Sequence, residues 1–120
     1  MKIVISSQGD SADSPLDKRF GRAFKFIVYD LGKDLYTPIG NEQSYVSPQG
    51  AGIQAAQTVI NTGAAAVITG HVGPKAFRTL NSANIKIYTA ADMTVKEAVA
   101  QYKKGILKEA KTNNVDGHWI

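Results

Sequence analysis

The stretch Ala64-Ala65-Ala66-Val67-Ile68-Thr69-Gly70-His71-Val72-Gly73-Pro74-Lys75 constrains this chain more than any other. An apolar run of strand length ends at Thr69-Gly70. A helix opens near Pro74, because proline's restricted φ suits the first helical turn. In an open α/β sheet, the loops leaving the carboxyl ends of strands are where ligands bind. The first amides of a helix have no intrahelical partner and carry partial positive charge, which favours an anion. Lys75 adds a full charge beside them. The segment therefore reads as the floor of an anion site with His71 on its lip. A glycine-flanked histidine at a strand end favours a functional reading over a structural imidazole bonded to a loop carbonyl.

The rest of the chain supplies a framework for such a loop. Lys2–Ser6 is short, apolar and β-branched, as a buried strand is. Ala23–Tyr29 alternates Phe24, Phe26 and Val28 with Lys25, Ile27 and Tyr29, and Leu35–Ile39 returns as a hairpin across the turn Asp30–Asp34. From Gly50 the period changes to that of a helix, with Ile53, Ala56 and Ile60 on one stripe that Ala55 and Val59 widen. That helix stops near Asn61-Thr62-Gly63. Strand Ala65–Thr69, helix Pro74–Ala83 (Ala76, Phe77 and Leu80 inward) and strand Ile85–Tyr88 follow. Thr94-Val95-Lys96-Glu97 is a capping box that opens a last helix, closed near Gly105. The order predicts an α/β fold whose mixed five-stranded sheet is covered by helices. Residues 1–108 are expected as one domain, and 109–120 as an extended polar tail with Trp119 against the body.

At 120 residues a single domain can bury a real core without crosslinks. The absence of cysteine excludes disulfides and every thiolate-held metal site. Ile3-Val4-Ile5 is too short for a secretory apolar segment, and no run approaches the ~20 residues of a membrane span. A cytoplasmic protein without a membrane partner is expected. The net charge of +4, with positive residues gathered at Lys18-Arg19 and Arg22, points to an anionic ligand. No long basic stripe interleaved with aromatics is present, so nucleic acid is not the expected partner.

Other motifs carry less. Gly50-Ala51-Gly52-Ile53-Gln54-Ala55 matches the dinucleotide fingerprint in letters, but a long polar loop precedes it and no acid follows at the required distance. It reads better as a helix N-terminus whose amides face a ligand. Gly70–Lys75 lacks the spacing of a P-loop. Asp10, Asp13 and Asp17 could suggest a two-metal nuclease, yet they lie on a loop and a solvated loop accounts for them. Two histidines without cysteine cannot build an ordinary zinc site unless carboxylates help. No nucleophilic triad can be assigned.

Several pieces together resemble one family. They are Ser14-Pro15-Leu16-Asp17, Arg19-Phe20-Gly21-Arg22, Gly50-Ala51-Gly52-Ile53-Gln54, Gly70-His71-Val72-Gly73-Pro74-Lys75-Ala76-Phe77 and Val115-Asp116-Gly117-His118-Trp119. In this order, over nearly the whole chain, they resemble the dinitrogenase iron–molybdenum cofactor biosynthesis family of nitrogenase accessory factors. Within it they are most similar to members of sulfate-reducing bacteria that hold a molybdenum–copper sulfide cluster. The resemblance implies a three-layer ribonuclease H-like fold and a non-enzymatic protein that binds or carries a metal–sulfur cluster. The cargo would be molybdenum–copper sulfide or, alternatively, an iron–molybdenum cofactor precursor, exchanged with donor or acceptor proteins by a monomer. Many relatives carry histidine where Arg19 stands, which moves the burden in the first loop from coordination to charge pairing. The expected cofactor-binding set is Arg19, Phe20, Gly21, Arg22, Gly50, Ala51, Gly52, His71, Val72, Gly73 and Lys75, with His71 as the candidate metal contact. A nucleotide- or oxoanion-binding regulatory domain on the same loops is the alternative.

Overall fold

A computed structural model describes residues 1–41 and 50–111. The polar loop over 42–49 and the tail motif ending in His118-Trp119 lie outside the described residues. The elements are β1 (Lys2–Ser7), β2 (Lys25–Asp30), β3 (Leu35–Gly40), α1 (Ala51–Asn61), β4 (Ala66–Thr69), α2 (Pro74–Ser82), β5 (Lys86–Thr89), α3 (Val95–Lys103) and β6 (Lys108–Glu109). They form one mixed sheet in the order β3-β2-β1-β4-β5-β6. β1, β4 and β5 run parallel, while β2, β3 and β6 pair antiparallel to their neighbours.

The period of two along the strands builds two cores, one on each face of the sheet. Val4, Phe26, Val67 and Ile87 pack with Ala55, Ala56 and Val59 of α1 and with Ala76 and Leu80 of α2. Ile3, Ile5, Ile27, Tyr29 and Ile68 pack on the other face with Val95, Ala98 and Val99 of α3. The central strands are therefore buried on both faces, as parallel strands covered by helices are. No helix among the described residues is long and apolar enough to cross a membrane.

Two expectations need correction. The sheet has six strands, where the sequence suggested five. Glu109 and Lys108 pair with Tyr88 and Thr89, and the Ala110 amide donates to Ile87 O at 2.7 Å. A two-residue polar strand has no periodicity to read; it forms because β5 would otherwise present an unpaired edge. The inward stripe of α1 also loses one member, Ile53, while Ile60 packs against the core as expected. Ile53 is 42% exposed, whereas Ala55, Ala56 and Val59 are buried. Ile53 belongs to the first turn, and the small alanines let the middle of α1 lie close to the sheet.

The helix signals at α3 appear in full. Thr94 Oγ1 accepts from Glu97 N at 3.1 Å, and Glu97 Oε1 accepts from Thr94 N at 2.8 Å. The first loop supplies further partners for this terminus, since Val95 N donates to Ser14 O and Lys96 N to Ala12 O. The N-terminus of α3 is thus filled by the protein itself.

Candidate functional site

The site lies where the loop after β1, the loop after β4 and the starts of α1 and α2 meet. The long segment between β1 and β2 folds back over the strand ends. Asp17 N donates to Ser6 O and Leu16 N to Met93 O, both at 2.9 Å. Ser6 Oγ, fully buried, donates to Asp17 O and lies 2.7 Å from Thr69 Oγ1. These bonds give the buried hydroxyls the partners that burial demands. They also tie the first loop to the carboxyl ends of β1 and β4.

The two loops are then stitched directly. His71 N donates to Lys18 O at 2.7 Å, and Phe20 N donates to His71 O at 3.2 Å. Gly70 makes that approach possible, because a Cβ there would fall 2.7 Å from Lys18 Cβ and 2.8 Å from its Cα. Small residues recur below. A Cβ on Gly21 would come within 3.1 Å of Gly52 Cα, and one on Gly52 within 3.2 Å of Ala76 Cβ. The loop turn and both helix starts touch through this column of minimal side chains. Asn41 backs the turn, donating to Ala23 O at 2.8 Å.

A cleft of about 630 Å³ opens above the column. Of the predicted set, Arg19, Phe20, Gly21, Arg22, Gly52, His71, Gly73 and Lys75 line it. Pro74 and Ala76 join them without having been singled out for that role. Three predicted residues do not line it. Gly50 precedes α1 as its N-cap, Ala51 begins that helix, and Val72 is 1% exposed within the α1/α2 core. His71 is exposed on the rim, while the next residue, Val72, is buried beneath it.

Neither helix that starts at the cleft has a side-chain cap. The N-caps are Gly50 for α1 and Gly73 for α2, and neither first turn holds an acid. This contrasts with the filled end of α3. Two positive helix ends therefore converge on one cavity whose lining contains no Asp or Glu among the described residues. Lys75 is exposed in the first turn of α2.

Asp17 departs from expectation. It is 1% exposed, not a solvated loop acid. Its carboxylate accepts from Arg19 N at 3.0 Å, Arg19 Nε at 3.1 Å, Arg19 Nη2 at 3.0 Å and Phe24 N at 3.2 Å. A buried carboxylate persists when it is paired and hydrogen-bonded this fully. The only trace in the sequence is the Asp17-x-Arg19 spacing before Gly21, and a Ser-, Asp- and Gly-rich loop conceals it. Lys18 pairs with Asp92 at 2.8 Å, and that hydrogen bond holds the Asp92 carboxyl below the usual carboxylate range. Both partners are well exposed, so the pair adds little stability.

Among the described residues no group of three or more His, Asp or Glu side chains could hold a bare metal ion. The cleft instead offers backbone amides, cations and one rim imidazole. Such a donor set suits an anion that brings its own coordination sphere.

Solved structures resemble this fold over almost its full length. The apo form of the orange protein from Desulfovibrio gigas is 36% identical, superposes with a TM-score of 0.92 and covers 95% of this chain and 96% of that one. A Thermotoga protein described as NifB-like, of the DUF35 family, is 31% identical with a TM-score of 0.84, covering 97% of this chain and 98% of that one. An uncharacterized protein of Methanocaldococcus jannaschii is 26% identical over 111 residues, 91% of each chain. The profile of the dinitrogenase iron–molybdenum cofactor family matches residues 1–105, and the chain belongs to that family.

Proposed function

We propose that this protein binds and carries, without catalysis, an anionic metal–sulfur cluster of the molybdenum–copper sulfide or iron–molybdenum type. Two helix N-termini without a side-chain cap, meeting a cationic rim in one cleft of about 630 Å³, carry this proposal. The chain has no cysteine, so it has no thiolate to offer iron or copper. A cargo that already contains its sulfides needs none. Lys75 and Arg22 supply opposite charge, the amides around Gly52 and Gly73 donate hydrogen bonds, and His71 contacts the cluster from the rim. The likeness to the orange protein and the membership of a cofactor family support a cluster-related role. Further parts of the proposal are a ribonuclease H-like classification of the fold and a monomer in the cytoplasm that exchanges cargo with donor and acceptor proteins.

Reconstitution tests the proposal. Protein mixed with tetrathiomolybdate and copper, then desalted, is expected to retain visible charge-transfer bands with stoichiometric molybdenum and copper. His71→Ala should lower retention without changing the fold. Saturable binding of ADP or phosphate, with no retention of metal and sulfide, would replace the cluster by a simple oxoanion or nucleotide.

A further inference from the structure

Arg19 lines the cleft, yet its guanidinium is clamped by a carboxylate that is 1% exposed. Asp17 takes the Nε–Nη2 edge of Arg19 at 3.1 and 3.0 Å and also accepts the Arg19 and Phe24 amides. The arginine side chain itself is 64% exposed. We infer that Asp17 and Arg19 act on the ligand as one net-neutral unit, Asp17 being the positioning residue and the hidden acid of a site whose lining is otherwise cationic among the described residues. The inference rests on the reading above only in requiring that the cleft take an anion.

The physical consequence is an asymmetry. Removing a lone cation from an anion site loses one attraction. Removing Arg19 also uncovers a buried negative charge beside the ligand. The carboxylate cannot turn into solvent, because two backbone amides hold it. The sum of charges on the pair is zero in the wild type, minus one in Arg19→Ala, plus one in Asp17→Asn and zero again in the double variant. Affinity for an anion should follow that sum, while the steady pull comes from Lys75, Arg22 and the two helix N-termini.

The experiment measures dissociation constants for two probes, tetrathiomolybdate with copper and inorganic molybdate, at low salt across the four proteins. Each unit of charge is expected to change Kd by roughly two- to thirtyfold, the Coulomb interaction over about 8 Å at an effective dielectric between that of water and that of a protein surface. The predicted order is Asp17→Asn tightest, wild type and double variant alike, and Arg19→Ala weakest. A double variant as weak as Arg19→Ala overturns the inference, since Arg19 would then act alone. So does Asp17→Asn binding more weakly than wild type. If Asp17→Asn does not fold, Arg19→Lys and Arg19→Ala decide: lysine should restore the affinity that alanine loses, and equal weakness of both overturns the pairing. The predicted order with molybdate, alongside failure to retain thiomolybdate, keeps the inference and rejects the cluster. Retention of the cluster with the wrong order does the reverse. Binding of neither probe by the wild type overturns both.

Discussion

Gly70 is required by a neighbouring backbone rather than by its own dihedral angles. A Cβ at this position would meet Lys18 Cβ at 2.7 Å and Lys18 O at 2.8 Å, distances that real side chains do not tolerate. The 2.7 Å bond from His71 N to Lys18 O holds the two segments at that separation. Gly70→Ala should therefore push the first loop away from β4, costing about 1–3 kcal/mol, the usual range for overpacking. Urea denaturation would show the loss, and anion binding should weaken with it. Gly73→Ala is the control, because open space surrounds its Cβ position and the backbone there is extended. Its cost should stay near that of an imperfect N-cap, ~1 kcal/mol or less. Equal destabilisation by the two would mean that the loop contact is not what Gly70 protects. The glycines were legible as permissive points in the sequence, but their partners were not. Lys18 and Gly70 lie far apart in the chain, and nothing local announces that their backbones touch. Asp17 was hidden for the opposite reason: an acid among serines and glycines looks solvated until a distant strand end buries it.

Elements with a strong period were readable, and elements built by tertiary demand were not. The parallel strands β1 and β4 announce themselves as short apolar runs, and α3 by its capping box. β6 could not be found, because Lys108-Glu109 pairs only to complete an edge already formed by β5. Helix α1 was recognised, and Ala55, Ala56, Val59 and Ile60 of its expected stripe pack inward; Ile53 does not, because helical spacing admits it and only packing decides that the first turn leaves it exposed. This gives an element-scale prediction. Val59, fully buried, should lose about 2 kcal/mol on truncation to alanine. Ile53, 42% exposed, should lose no more than ~0.5 kcal/mol. Thermal or urea melts of the pair decide it, and a larger loss at Ile53 would return that residue to the buried stripe. The same comparison bears on the site, since α1 delivers Gly52 to the cleft through its seating on the sheet.

At the scale of the whole molecule, the site and most of the stability are separable, Phe20 and Ala76 being residues that both line the cleft and belong to a core. The two cores lie on the faces of the sheet, whereas the cleft sits at the carboxyl ends of β1 and β4, above a column of glycine and alanine. Little apolar area in the cores depends on what fills the cleft. A ligand held there should add stability by mass action, about 2.7 kcal/mol at a hundredfold excess over its Kd. For a chain of this size that is a rise of roughly ten degrees in melting temperature. How the rise responds to salt distinguishes the ways of holding the cargo. Charge and helix-end attraction at an open cleft fall as the screening length shrinks, to about 3 Å at 1 M salt. The cores hold the empty protein together and are indifferent to such screening. Melting curves with and without thiomolybdate and copper, at low and high salt, should therefore show the ligand-dependent rise collapse while the ligand-free midpoint moves little. A rise that survives high salt but disappears in His71→Ala would instead assign the hold to a metal–imidazole bond, with the cationic rim left to guide the cargo in.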